Sequence, residues 1–155
     1  MKFPKGTRGN QVEILARQHL WQDGLNYGHG TGHGVGFFLN VHEGPQSIGS
    51  GITAKAATVL EAGMLTSNEP GFYKTGEYGI RIENLILAVE AEKTAYGQFL
   101  KFESVTLFPI DKNLIDYPML TKREVKWLEV YHKEVYATLS PFLNRKEKAW
   151  MKGMC

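Results

Sequence analysis

The sequence has one cysteine, Cys155, the last of its 155 residues, so no intrachain disulfide can form and the fold must rest on a packed core. Long apolar runs are missing as well. No stretch approaches the roughly 18 apolar residues of a membrane-spanning helix. The charged start, Met1 to Gly6, leads into none of the roughly 7–15 apolar residues that follow in a secretory leader. A cytoplasmic protein is therefore expected. An excess of charge is also lacking: 18 Lys and Arg against 16 Asp and Glu leave a net charge of +2, too little to draw a nucleic-acid backbone. There is no internal repeat, no low-complexity segment and no linker. What is present, 43% apolar and 22% charged residues, suits a chain that buries roughly two-thirds of its unfolded surface without metal knots or disulfides. A single domain over residues 1–155 is expected.

The apolar periodicity changes along the chain. Asn10 can cap a helix running to about Asp23, with Val12, Leu15, Ala16 and Leu20 on one face and Gly24 as the stop. Glycine then holds every second position from Gly28 to Gly36, and Val35, Phe37, Leu39 and Val41 follow in alternation, which reads as a glycine-rich entry into a strand. Met64 to Ser67 predicts a short strand. The segment from Ile80 to Val89 predicts a longer one, paired antiparallel with Phe99 to Phe108, after a turn at Lys74 to Glu77. Beyond Pro109 the period becomes helical. Thr121 and Glu124 match the reciprocal capping box, so a helix should run to about Leu139, followed by a basic helix over Arg145 to Lys152. The fold class is α+β, with residues 118–155 as a helical extension.

Three of the five histidines, His29, His33 and His42, fall within fourteen residues. A solvated glycine loop would explain them blandly. Glycines on either side of His29 and His33, however, would let a substrate or metal come close to the backbone. A phosphate cradle fails, because the third glycine of G-x-G-x-x-G falls on His33. A helical zinc motif fails too, since no Glu follows His29 and the glycines disfavour a helix. One histidine ligand on a strand, joined by carboxylates from neighbouring strands, remains open.

Two carboxylates qualify. Glu69 stands before Pro70 and Gly71 at a strand end, and Glu83 alternates with Arg81 on one strand face. A charged pair on one face is commonly only the wet side of a sheet. A set of one His and two Glu suits manganese, iron(II), cobalt or zinc better than calcium. Two divalent cations would carry about +4 against about −2 from two Glu, so a dinuclear site needs further anions. Aspartate is scarce here: only Asp23, Asp111 and Asp116 occur, none upstream in a strand-like setting.

The blocks His29-Gly-Thr-Gly-His-Gly-Val-Gly, Leu39-Asn-Val-His-Glu-Gly-Pro45, Leu60-Glu-Ala-Gly-Met, Asn68-Glu-Pro-Gly-Phe-Tyr73 and Tyr78-Gly-Ile-Arg-Ile-Glu-Asn84 resemble, in family order, the catalytic domain of aminopeptidase P, the Xaa-Pro aminopeptidases of the pita-bread metallopeptidases. The resemblance implies the C-terminal half of a pita-bread fold, a curved, mostly antiparallel sheet backed by helices. It implies His33 and Glu69 on one metal, Glu83 bridging two metals, His29 and His42 lining the substrate site as catalytic residues that handle protons or hold the scissile carbonyl, and Arg81 pairing with the metal-site carboxylates. The cofactor would be two divalent ions, usually manganese, holding a hydroxide that attacks the peptide bond before proline. The family's two aspartate ligands lie upstream, so the chain resembles part of a longer enzyme and is expected to be inactive by itself. The partners expected are a proline-containing peptide and a second copy in a homodimer, with no nucleic acid and no membrane. The alternative is a non-catalytic pita-bread module that binds peptides or proteins. His19 and His132 are read as helix packing or surface.

Overall fold

The computed structural model describes residues 1–155, which divide into two compact units, Met1–Thr106 and Leu107–Cys155. The helical extension expected over 118–155 lies within the second.

In the first unit, β1 (Lys2–Pro4), β8 (Gly97–Ser104), β7 (Asn84–Thr94) and β4 (Leu65–Asn68) form a four-stranded antiparallel sheet in that order. Alternation along β7 turns Ile86 and Ala88 inward, and Leu100 of β8 joins them. Phe3, Ile48 and Leu60 complete the core with Val12 of α1 (Gly9–Gln22). Each Val, Leu, Ile or Phe side chain among them stabilises the unit by roughly 1.5–3 kcal/mol when fully buried. The strand expected near Met64 is β4, and the expected long antiparallel pair is β7 with β8.

Three local expectations are corrected. The helix starts at Gly9, one residue before Asn10. Arg8 is the cap residue and its N–H donates to the Gln11 side chain at 2.8 Å. Asn10 instead lies inside the helix, with its N–H on the Ala56 carbonyl. The helix also turns Val12, Glu13 and Arg17 inward, while Leu15 is exposed.

The segment from Ile80 to Val89 is two strands. β6 (Tyr78–Arg81) pairs with β5 (Gly71–Lys74) across a turn in which Gly76 takes a positive φ of 77°, and Glu83 stands between β6 and β7 outside either strand. Asn84 accounts for the break: its side chain bonds Asn68 at 3.1 Å and Ser104 at 2.8 Å, which pins the start of β7 between β4 and β8.

The alternating run Val35–Val41 is a loop. Before it, Gly32–His33 (β2) pairs with Ser47–Ile48 (β3), and Gly34 bridges Thr66. Phe37, Phe38 and Leu39 have no neighbouring strand, are exposed, and lie in a turn closed by Gly36 N–H on the Asn40 carbonyl, with Leu39 at φ 53°.

In the second unit, Thr121 and Glu124 cap α2 (Lys122–Leu139) reciprocally, and Asn144 with Glu147 do the same for α3 (Arg145–Met154). Leu128, Tyr131, His132 and Val135 form the buried side of α2. His132 Nε2 accepts from the Ile110 N–H at 3.1 Å. Burial, helped by the charge of Lys112, holds this imidazole below its ordinary pKa. No helix is long and apolar enough to cross a membrane.

Candidate metal centre

His33 is placed by backbone contact on both sides. β2 runs so close to β4 that a Cβ at Gly32 would collide with the Ser67 carbonyl, and one at Gly34 would collide with the Glu43 carbonyl. The glycines around His33 therefore admit neighbouring main chain, where the spacing alone suggested room for a substrate or metal. Three bonds fasten the strand ends: His33 N–H to Ser67 Oγ at 2.9 Å, Ser67 Oγ–H to Glu69 Oε1 at 3.1 Å, and Glu69 N–H to the Thr31 carbonyl at 2.7 Å.

The imidazole is oriented by its Nδ1, which lies 3.0 Å from the Gly34 carbonyl. A carbonyl oxygen only accepts, so Nδ1 carries the proton and Nε2 of the neutral ring presents a lone pair. That lone pair faces Glu69 Oε1 at 3.2 Å. Two electron-rich atoms at this distance repel unless a cation or a proton lies between them. A ligating histidine held through its other nitrogen by a carbonyl has the same arrangement. His33 and Glu69, with side-chain exposures of 22% and 15%, thus fit as a pair the imidazole and carboxylate donors of a divalent cation.

Arg81, at the end of β6, joins the carboxylates: its guanidinium is 3.8 Å from Glu69 Oε2 and 3.7 Å from Glu83 Oε2. Both pairs are long, and Arg81 and Glu83 are nearly half exposed, so their contribution to stability is small. Arg81 and Glu83 face each other, though Glu83 is beyond the strand. The His42 ring packs on that of His33 with centroids 4.2 Å apart. His29 stands across β5: its Nδ1–H donates to the Gly30 carbonyl at 2.7 Å and its Nε2 meets the Tyr73 hydroxyl at 2.9 Å.

The six residues singled out from the sequence are therefore linked in two groups, His42–His33–Glu69–Arg81–Glu83 and His29–Tyr73. Ser67 and Tyr73 were missed as partners, although both lie in or beside the Asn68–Tyr73 block. The donor set stops short of a complete centre: no group of three or more His, Cys, Asp and Glu side chains able to hold a metal is formed. Asp23 caps the end of α1, and Asp111 and Asp116 cap short 3-10 turns of the second unit. A cavity of about 490 Å³ is lined by Arg17, Trp21, the loop residues 26–30 and the segment 47–51, and of the six candidate residues only His29 lines it.

Residues 1–90 match the model of metallopeptidase family M24, and residues 98–155 match that of the C-terminal region of peptidase_M24. The chain belongs to metallopeptidase family M24. Among curated relatives, it is 52% identical over 155 residues to a probable Xaa-Pro aminopeptidase P of Coprinopsis cinerea and 50% identical over 158 residues to one of Laccaria bicolor. These alignments take in 97% and 99% of the chain and 25% and 24% of the relatives, so the chain spans about a quarter of their length.

Among solved structures, the X-prolyl aminopeptidase of Caenorhabditis elegans, described as a cytosolic enzyme with a di-nuclear active site, matches with a TM-score of 0.89 and 41% identity, over 100% of this chain and 26% of that one. An Xaa-Pro dipeptidase from Bacillus anthracis matches with a TM-score of 0.53 and 34% identity, over 70% of this chain and 27% of its own. The fold of this M24 chain is accordingly the mixed α and β pita-bread fold of aminopeptidase P, with its antiparallel sheet and helices.

Proposed function

We propose that the full-length protein is a cytoplasmic, metal-dependent Xaa-Pro aminopeptidase that removes the N-terminal residue from peptides with proline in second position. The observation that carries this reading is the approach of His33 Nε2 to within 3.2 Å of Glu69 Oε1, in a ring whose Nδ1 is already committed to a carbonyl. His33, Glu69 and Glu83 would be this chain's ligands to two divalent cations, with manganese as the expected metal. Bound cations supply Lewis acidity toward the scissile carbonyl. Three donors carrying about −2 do not balance two divalent ions, so the centre requires anionic donors beyond these three. The 155 residues alone are accordingly expected to hydrolyse little.

The remaining roles fall to proton handling and orientation. The peptide bond before proline has no N–H to grip, and the departing nitrogen must be protonated. With Nδ1–H on the Gly30 carbonyl and the Tyr73 hydroxyl donating to Nε2, His29 Nε2 is the atom that would take up a proton and, once protonated, hand it on. His42, exposed and packed on His33, would line the same peptide site. Arg81 would hold Glu69 and Glu83 apart in fixed directions. The exposed apolar turn at Phe37, Phe38 and Leu39 supports self-association, and a homodimer is the proposed assembly.

Assay of an Arg-Pro-Pro-type peptide with manganese tests the reading. Turnover by the full-length protein and little by the 155 residues is the expected result; none by the full-length protein would remove the assignment. A second reading, a peptide-binding module without catalysis, draws on the absence of a three-donor group in this chain. It predicts peptide binding with no product at any metal concentration.

A further inference from the structure

We propose that Arg17, held by Glu13, is the positioning residue of the His29 loop. Arg17 and Glu13 are 4% and 2% exposed, in a helix that leaves Ile14, Leu15 and Trp21 in solvent. An ion pair this deeply buried is not a requirement of the core, since apolar residues of similar volume often serve stability as well or better. Its bonds instead run almost entirely to one loop.

The guanidinium Nε–H donates to Glu13 Oε1. One terminal nitrogen donates to Asn26 Oδ1 at 2.7 Å and to the Tyr27 carbonyl at 2.6 Å, and the other donates to the His29 carbonyl at 2.6 Å. The flat face of the guanidinium lies 3.8 Å from the centre of the Tyr27 ring. Tyr27 in turn bonds Thr31 through their hydroxyls, and Thr31 Oγ1–H reaches Glu13 Oε1 at 3.3 Å. A closed polar ring thus holds the loop from Asn26 to Thr31.

The loop needs such a ring. Gly28 has open space around it, and glycine at alternate positions makes the segment costly to order. With the His29 carbonyl fixed by Arg17 and the ring fixed by the Gly30 carbonyl, Nε2 has one direction, toward Tyr73. The same ring ends at Thr31, whose carbonyl accepts from Glu69 N–H, so the loop is held in register with the metal-side carboxylate. Lysine could not substitute, because it lacks both the planar fork and the stacking face.

The catalytic consequence rests on the proposed role of His29; the loop consequence does not. The test uses the full-length protein with the double variant Glu13→Leu/Arg17→Met, which replaces the pair by apolar residues, and the single variant Arg17→Lys. Hydrogen exchange of amides 28–31 should accelerate about tenfold while β7 and β8 stay protected. The nitrogen NMR signature of His29 should lose its single Nδ1–H tautomer. The kcat should fall about 100-fold with metal content and KM little changed. If the double variant does not fold, Arg17→Lys decides, with the same changes expected at smaller size. A folded variant whose loop exchange and His29 tautomer match the wild type would overturn the proposal. A loosened loop in a protein that shows no aminopeptidase activity even as wild type would leave the positioning role standing and remove only the proposed function.

Discussion

His29 and His33 stand four residues apart, each between two glycines, and the structure holds them by opposite means. Around His33 the glycines let other backbone in: β4 and the Glu43 segment press against Gly32 and Gly34, and the side chain is fixed because the main chain cannot move. Around His29 the neighbouring space is open at Gly28, and the restraint comes from outside the segment, through the buried Arg17 fork. One glycine pattern therefore covers two physical situations: a rigid position, and a movable one tied down by a polar clamp. Such a division suits a centre in which one imidazole must stay put while the other handles protons.

The sharpest way to break this comparison is to add a methyl group at each place. Gly32→Ala meets a backbone carbonyl that cannot swing aside, and a loss of about 3 kcal/mol in denaturant unfolding is expected, with metal affinity falling alongside. Gly28→Ala meets nothing, and its stability should stay within about 0.5 kcal/mol of wild type. Equal effects at the two sites would remove the distinction.

Function separates the two histidines next. His33→Ala should weaken manganese binding by the full-length protein about 100-fold in a competition titration. His29→Ala should leave bound metal unchanged and reduce kcat about 100-fold. A loss of metal from the His29 variant would place both residues in one role.

Ser67→Ala probes the link between His33 and Glu69 at a lower level. Ser67 is wholly buried, accepts from His33 N–H and donates to Glu69, so its removal strands a donor and should cost about 1–2 kcal/mol. Thermal unfolding of the variant measures this directly.

The smallest effect concerns a third histidine. His132 is buried with Nε2 occupied by the Ile110 N–H, and burial followed by Lys112 lowers its pKa. The unfolded chain then binds the extra proton more readily than the folded one. Stability from this residue is complete above the ordinary imidazole range and is lost as pH falls through the lowered folded value. The protection of α2 amides, relative to their intrinsic exchange rates, should fall on acidification across that window, and His132→Gln should flatten the dependence.

Much of this was legible in the residues themselves. The capping box of Thr121 with Glu124, the turn at Gly76 and the existence of the β7–β8 pair are local chemistry, and they were readable from the spacing. The strand break at Glu83 was not legible, because it depends on Asn84 meeting Asn68 and Ser104 from distant segments. The loop at Val35–Val41 kept a strand's alternation but has no partner strand, and alternation alone cannot supply one. His33, Glu69, Arg81 and Glu83 were readable as a cluster from their blocks. Arg17 was not, since a charged residue in an amphipathic helix reads as its wet face until the tertiary fold buries it. The spacing of Glu13 and Arg17, four apart on the Val12 side, was the one available hint.

The central claim is that His33 and Glu69 converge on a divalent cation. Anomalous diffraction from crystals of the full-length protein grown with manganese tests it most directly. The account predicts a manganese peak within coordination distance of both His33 Nε2 and a Glu69 carboxylate oxygen. Manganese bound elsewhere, with His33 and Glu69 still facing each other and no peak between them, would contradict it.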